Sequence, residues 1–278
     1  MTNGASFRFS TLALVLGLWS ASPLTAQPVG HVSGKNAARG MPKEGFVKGP
    51  RAEGVKVIES VLSDSASKNS RSFTQSSKRF LQGASPNPSG DELIGLMCYQ
   101  NGSDSQLKTI VSSNSPFRNK DDVAVAQALT GLIERSDLAP GALLFRGRGQ
   151  IPSSQKRKKP GDIIEEDSFM STSTDPYVAK VFSDSAYNSD HVMDVIQVDS
   201  SGLKGLDVTA SKHKPVSAPP SQATKSWHSK PCAHQQVDIL DTESEVLLPP
   251  GARFRVLKLD QKMMNGVLWT IRYLEYVR

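Results

Sequence analysis

The spacing of apolar residues changes once along this chain, and the change fixes the class of fold open to it. From Ser89 to Ile133 they recur three and four residues apart, and from Ala142 onward they alternate. The first pattern puts them on one face of a helix, the second on one face of a strand. Ser89 and Glu92 have the spacing of a capping box ahead of Leu93, Leu96 and Met97. A short helix follows Asp104 and uses Leu107, Ile110 and Val111. A longer one opens at Asp121, carries Val123, Ala126, Leu129, Leu132 and Ile133 on one face, and is stopped by Pro140-Gly141. Beyond it, strands are predicted at 142–145, in parts of 162–171, and at 192–198, 246–248, 254–259 and 267–277. Asn265-Gly266, between the last two, is a strong hairpin signal. Helices first and strands afterwards predict an α+β fold. No glycine-rich loop follows a strand, which argues against dinucleotide binding of the Rossmann kind.

Hydrophobic residues make up 37% of the chain and charged residues 22%, too apolar and too mixed in sign for disorder throughout. The apolar share is still below the usual globular one, so part of the chain reads as loop or tail. Residues 27–88 fit that part: they are rich in Gly, Ser, Lys and Pro, with periodicity only in Val55–Leu62, a short helix or strand. Residues 27–54 read as disordered and 55–88 as loosely attached, with the ordered domain over 89–278. Residues 210–236, rich in Ser, Pro, Lys and Gln, read as a long loop.

Residues 1–26 are set apart from the fold. Arg8 precedes the short apolar run Leu12–Trp19, and small residues and Pro23 follow. That order is the order of a secretory signal peptide, cut after Ala26 or after Ser22; a buried N-terminal helix is the other reading. Cleavage would leave a secreted or periplasmic protein. No apolar run is long enough for a transmembrane segment. In oxidising surroundings Cys98 and Cys232, the two cysteines, can pair; a buried free thiol at Cys98 is the alternative. His213, His228, Cys232 and His234 share a loop but lack zinc spacing, so no metal site is expected. The net charge of +6 is mild. Lys156-Arg157-Lys158-Lys159 has no interleaved aromatics, so it is a solvated loop or a target- or membrane-facing surface, and no specific nucleic acid is expected as a partner.

Three patches carry chemistry. Arg146 ends the apolar run Leu143–Phe145 and precedes Gly147, so its guanidinium can fork onto a phosphate or carboxylate while the glycine admits a ligand to the backbone. Ser171, Thr172 and Ser173 put three hydroxyls at a strand end, ahead of Asp175-Pro176, an N-cap and first helical residue. Glu243 and Glu245, two apart before Val246-Leu247-Leu248-Pro249-Pro250-Gly251, would share one face of a strand, where like charges repel.

In order and spacing, these patches resemble the mono-ADP-ribosyltransferases with the Arg–Ser–Glu signature, a family of clostridial actin-modifying toxins, bacterial effectors and vertebrate ecto-transferases. The resemblance runs from about Ile94 onward and is closest in Glu245–Leu257. It implies two packed β-sheets with an N-terminal helical layer and NAD bound in the cleft between the sheets. It implies that Arg146 contacts an NAD phosphate, that Gly147 offers backbone bonds to the nicotinamide amide, and that Thr172 and Ser173 help line the site. Ser171 would hold Glu245, and Glu245 would stabilise the cation left as nicotinamide departs. Glu243 would orient an acceptor arginine of a target protein and take its proton. Phe182 is either core or a nicotinamide-stacking face.

This chain departs from the family's pattern in two places. It has no arginine between Arg157 and Arg253, where many relatives carry a second phosphate contact, so Lys180, Arg148 or a backbone bond must substitute. No aromatic lies in 233–242, where relatives often carry a target-recognition residue, which leaves Trp227 as the nearest one upstream. Two other functions compete with arginine transfer: an NAD glycohydrolase, and a catalytically silent secreted binding protein on the same scaffold. No receptor-binding or translocation segment is visible, so a separate delivery chain or machine is implied.

Overall fold

Ser89 opens the helical layer as its spacing predicts. Its hydroxyl accepts from the Glu92 backbone N–H, and the Glu92 carboxylate accepts from the Ser89 N–H, closing the capping box. The computed structural model describes residues 48–63, 77–100, 107, 120–184, 190–228, 230 and 244–278, all within the compact unit Phe46–Arg278. The leader, most of the expected 107–111 helix, Cys232 and Glu243 lie outside the described residues.

The helices are α1 (Ala52–Leu62), α2 (Gly90–Cys98), α3 (Lys120–Glu134), α4 (Pro176–Asp184) and two short turns, α5 (Val208–Lys212) and α6 (Lys225–His228). On α3 the buried face is Val125, Ala126, Leu129, Leu132 and Ile133, with Val123 packed at its margin. Asp175 caps α4 by accepting from the Tyr177 N–H at 2.9 Å.

Helix α1 corrects the sequence reading. Residues 55–88 were expected to be loosely attached, yet Ile58 and Leu62 are buried with Leu143, Val195 and Ile271. Two such side chains contribute roughly 1.5–3 kcal/mol each, enough to hold a short helix in place. Just upstream, the Arg51 guanidinium donates to the carbonyls of Gly141, Ala142 and Val198. The ordered part therefore begins well before Ser89.

The strands are β1 (Asp137–Leu138), β2 (Leu143–Arg148), β3 (Ile163–Glu166), β4 (Met170–Ser173), β5 (His191–Val198), β6 (Leu203–Lys204), β7 (Leu206–Asp207), β8 (Glu245–Leu248), β9 (Ala252–Met264) and β10 (Val267–Val277). Strands β1 and β6 pair by themselves; the others form one sheet ordered β3-β9-β10-β5-β2-β4-β8-β7. Asn265 and Gly266 have φ of 52° and 78°, as a primed two-residue turn requires, and Met264 faces Val267 across it.

The expected α+β fold is present, with helices ahead of a large mixed sheet and a small two-stranded one. The two halves of the large sheet are joined by a single register pair, Phe145↔Ser173. The halves still face each other. Leu144, Ile196 and Phe254 from one bury against Met170, Val246 and Leu248 from the other. On the outer side of β8, Leu247 packs with Leu96, Leu129 and Leu132 of α2 and α3. The helical layer thus covers the smaller half of the sheet, and α1 and α4 cover the larger.

Candidate functional site

Arg146, Ser171 and Glu245 come to lie on β2, β4 and β8, three consecutive strands of the sheet. The Ser171 hydroxyl donates to Glu245 Oε1 at 2.6 Å, and Glu245 is 6% exposed. Thr172 Oγ1 donates to the Val246 carbonyl at 2.6 Å, and Ser173 Oγ accepts from the Asp175 N–H at 2.9 Å. The three hydroxyls are thus divided: one fixes the carboxylate, one ties the strands, and one shapes the turn into α4. Thr172 and Ser173 are both buried and turned to the protein itself.

The period-two argument for the two glutamates stops at Glu245. Strand β8 begins there, and Ser244 before it has φ of 47°, a left-handed conformation costly for a residue other than glycine. The Ser244 carbonyl accepts from the Thr174 N–H at 3.1 Å, which pins this turn to the strand end carrying the hydroxyls. Glu243 lies beyond it, outside the described residues.

Arg146 sits in a buried cluster of charges. Asp194 on β5 faces Arg146 on one side and Arg272 of β10 on the other. Arg272 grips Asp194 with Nε and Nη2 at 2.6 and 2.7 Å and donates through Nη1 to Gln155 at 2.8 Å. Gln155 donates to Glu166 Oε1 at 3.2 Å, Arg148 donates to the same oxygen at 2.8 Å, and Arg148 Nε lies 3.3 Å from Asp194. The ring closes on itself, and Arg146 joins it through an ion pair with Glu166 at 3.3 Å.

Burial would raise the Asp194 and Glu166 carboxyls. The guanidiniums override it: Arg272 and Arg148 hold Asp194 below its ordinary value, and Arg148 and Arg146 do the same for Glu166. Arg146 moves the other way, lowered to about 10 by burial and then by Arg148. Its Nη1 is buried without a hydrogen bond. Three guanidiniums against two carboxylates leave the cluster one charge positive; Arg148 Nε is likewise buried without a hydrogen bond, but Arg148 is held to Glu166 through Nη2, whereas Arg146 is held only by its ion pair. Such a group suits an anion such as a phosphate.

The remaining predicted residues fall differently. A Cβ on Gly147 would lie 1.7 Å from the Ala179 carbonyl oxygen, so the glycine is where α4 packs directly on β2; what approaches its backbone is a helix. Phe182 is 49% exposed on α4 and is not core. Trp227, the nearest aromatic upstream of the recognition loop, is fully buried and donates to Asp122 at 2.8 Å, which makes it a structural anchor of the long loop. Of the two cationic substitutes for the missing arginine, Arg148 is bound into the ring and Lys180 pairs with Asp184 at 2.9 Å. Cys98 is buried and disulfide-bonded. Among the described residues no group of His, Cys, Asp or Glu is placed to hold a metal ion, and no helix is long and apolar enough to cross a membrane.

Sequence reasoning passed over Glu166, Asp194, Arg272 and Gln155. Two of them carried a signal: Asp194 is the single charge in 192–198, and Arg272 lies between apolar residues in 267–277, where a charge is rarely buried without a partner.

No protein-family model matches the chain, and no curated protein matches it in sequence. Solved structures do match. The ADP-ribosyltransferase Vis, a toxin from Vibrio splendidus, superposes in its complex with the M6 inhibitor with a TM-score of 0.51 at 18% identity, over 79% of this chain and 85% of that one. Its complex with agmatine gives 0.51 at 18% identity, over 84% and 89%. With Arg146, Ser171 and Glu245 on three neighbouring strands, the chain has the fold of the ADP-ribosyltransferases.

Proposed function

We propose that this protein is a mono-ADP-ribosyltransferase that moves ADP-ribose from NAD to an arginine of a target protein. The observation that carries the reading is the Ser171–Glu245 bond, a buried carboxylate fixed on the strand beside the one bearing the hydroxyls. In this reading Arg146 takes an NAD phosphate, since its buried Nη1 has no hydrogen bond and only an ion pair holds it in a cluster of net positive charge. Phe182, exposed on α4, offers a ring face to nicotinamide.

Glycosidic cleavage passes through an oxocarbenium-like state, and Glu245 sets a fixed negative charge beside the developing positive one. Nicotinamide leaves with the bonding electrons. The acceptor guanidinium, with a pKa above ~12, is a poor nucleophile while protonated. Glu243 then orients it and takes its proton as nitrogen attacks the anomeric carbon. The crystal complex of Vis with agmatine, a guanidinium compound, supports the arginine reading. Residues 1–26 would direct export, and a separate chain or machine would deliver the enzyme as a toxin or effector.

Nicotinamide release from NAD, with and without agmatine, is the deciding assay. Release stimulated by agmatine with label on agmatine is the result expected. Release without transfer makes the protein an NAD glycohydrolase, and no release makes it a silent binding protein. Glu245→Ala is expected to lose hydrolysis and transfer by ~10²–10³-fold. Glu243→Gln is expected to lose transfer by ~10²–10⁴-fold while slow hydrolysis survives.

A further inference from the structure

The β9–β10 hairpin has one covered face and one bare face. On the covered face, Met264 packs against the α1 cluster, Lys262 pairs with Glu59, and Asn265 donates to the Leu62 carbonyl. On the other face, Leu259 is 40% exposed, Met263 65% and Leu268 51%, and Met263 stands directly opposite Leu268. Among the described residues the tip extends past the strands it pairs with. Pairing with β5 starts only at Trp269, and pairing with β3 reaches only Arg255.

The basic run left unexplained by the proposed activity lies on the same face. Gln155 accepts from Arg272, whose partner on β9 is Leu259, so the loop carrying Lys156–Lys159 crosses the sheet beside the inner end of the apolar strip. Lys156, Arg157 and Lys159 are exposed and Lys158 is half-buried. Among the described residues none of the four side chains forms an ion pair, although Asp162 accepts from the Lys159 N–H. Asp190, just before β5, is exposed.

We propose that this hairpin face and Lys156–Lys159 together dock the protein on an anionic lipid surface. The shape selects the occupant. A protruding, two-edged tip with large apolar side chains can enter a fluid bilayer boundary without a preformed groove, and the basic run matches the charge of the headgroups. The apolar residues supply insertion and the cations supply attraction, each cation adding about fivefold in affinity near an anionic surface.

The test is co-sedimentation of the full chain with vesicles of phosphatidylcholine alone or with phosphatidylserine added. Binding to the anionic vesicles and not to the neutral ones is expected. Lys156→Gln, Lys158→Gln and Lys159→Gln together should weaken it on the order of 100-fold. Met263→Ser with Leu268→Ser should weaken it at least ~10-fold, with the melting temperature unchanged. A tryptophan introduced by Met263→Trp should be quenched by lipids with brominated chains, a readout tied to this position. Equal binding to both vesicle types overturns the proposal. So does binding untouched by the Met263→Ser and Leu268→Ser pair, which would assign it to another segment such as the apolar run at 12–19. Absence of vesicle binding with self-association that Leu268→Ser abolishes would instead make the face a contact between copies.

Discussion

Ser171 and Glu245 are 74 residues apart in sequence and joined by a 2.6 Å hydrogen bond across neighbouring antiparallel strands. A hydrogen bond to a charged, buried acceptor is worth about 1.5–3 kcal/mol. If Glu245 acts on the reacting centre, Ser171→Ala frees its carboxylate to turn. Nicotinamide release is then expected to fall ~10–100-fold in kcat with KM for NAD nearly unchanged, because the bond steers chemistry rather than binding. Steady-state kinetics on the folded variant checks this.

Arg146→Lys is expected to separate the other way. Lysine keeps a charge but loses the fork that grips phosphate through two nitrogens. The NAD dissociation constant, measured by calorimetry, should rise by about 10-fold or more, the scale of a lost charge-assisted bond. Unchanged affinity would remove Arg146 from the NAD site.

Gly147→Ala concerns stability. The added methyl would meet the Ala179 carbonyl oxygen at 1.7 Å and the Ser183 nitrogen at 2.7 Å, both backbone atoms that yield only if α4 moves. Overpacking of this kind costs ~1–3 kcal/mol or more. Urea unfolding should show a lower midpoint, and nicotinamide release should fall with it because α4 follows the hydroxyl motif.

The charge ring predicts acid sensitivity. Glu166 and Asp194 are held below their ordinary values of 4.5 and 3.8, so the unfolded chain takes up protons first as pH falls. Their contribution to stability is fully present above those values and is lost as pH drops through the depressed folded ones. Melting temperature should therefore fall steeply below about pH 4. Asp194→Asn leaves Arg272 and Arg148 without their shared buried carboxylate, at a cost of about 3–5 kcal/mol at neutral pH, and should flatten the acid limb of the curve.

Much of this was legible in the chain. The capping box at Ser89, the hairpin at Asn265-Gly266 and the cap at Asp175 are local devices, and local sequence specifies them. The motif residues were legible one by one, but their adjacency is a property of topology: β8 inserts between β4 and β7 after a long excursion. Helix α1 was undervalued because its neighbours are polar and small, while its anchoring comes from strands far along the chain. Ring members such as Glu166 and Gln155 gave no signal, since a single polar residue in a loop or short strand looks solvated until its partners arrive from three other strands. Trp227 misled for the opposite reason: a polar loop hid a residue that folds inward to reach Asp122.

Strand β10, the last of the ten in chain order, lies between β9 and β5 in the interior of the sheet. A ribosome delivers residues in sequence, so β5 and β9 lack the strand that lies between them until residue 277 has left the exit tunnel. Every nascent chain that stops short of residue 272 lacks Arg272, one of the two guanidiniums that flank Asp194. The sheet thus closes only once β10 has emerged, and the strands made before it stay pliable until then.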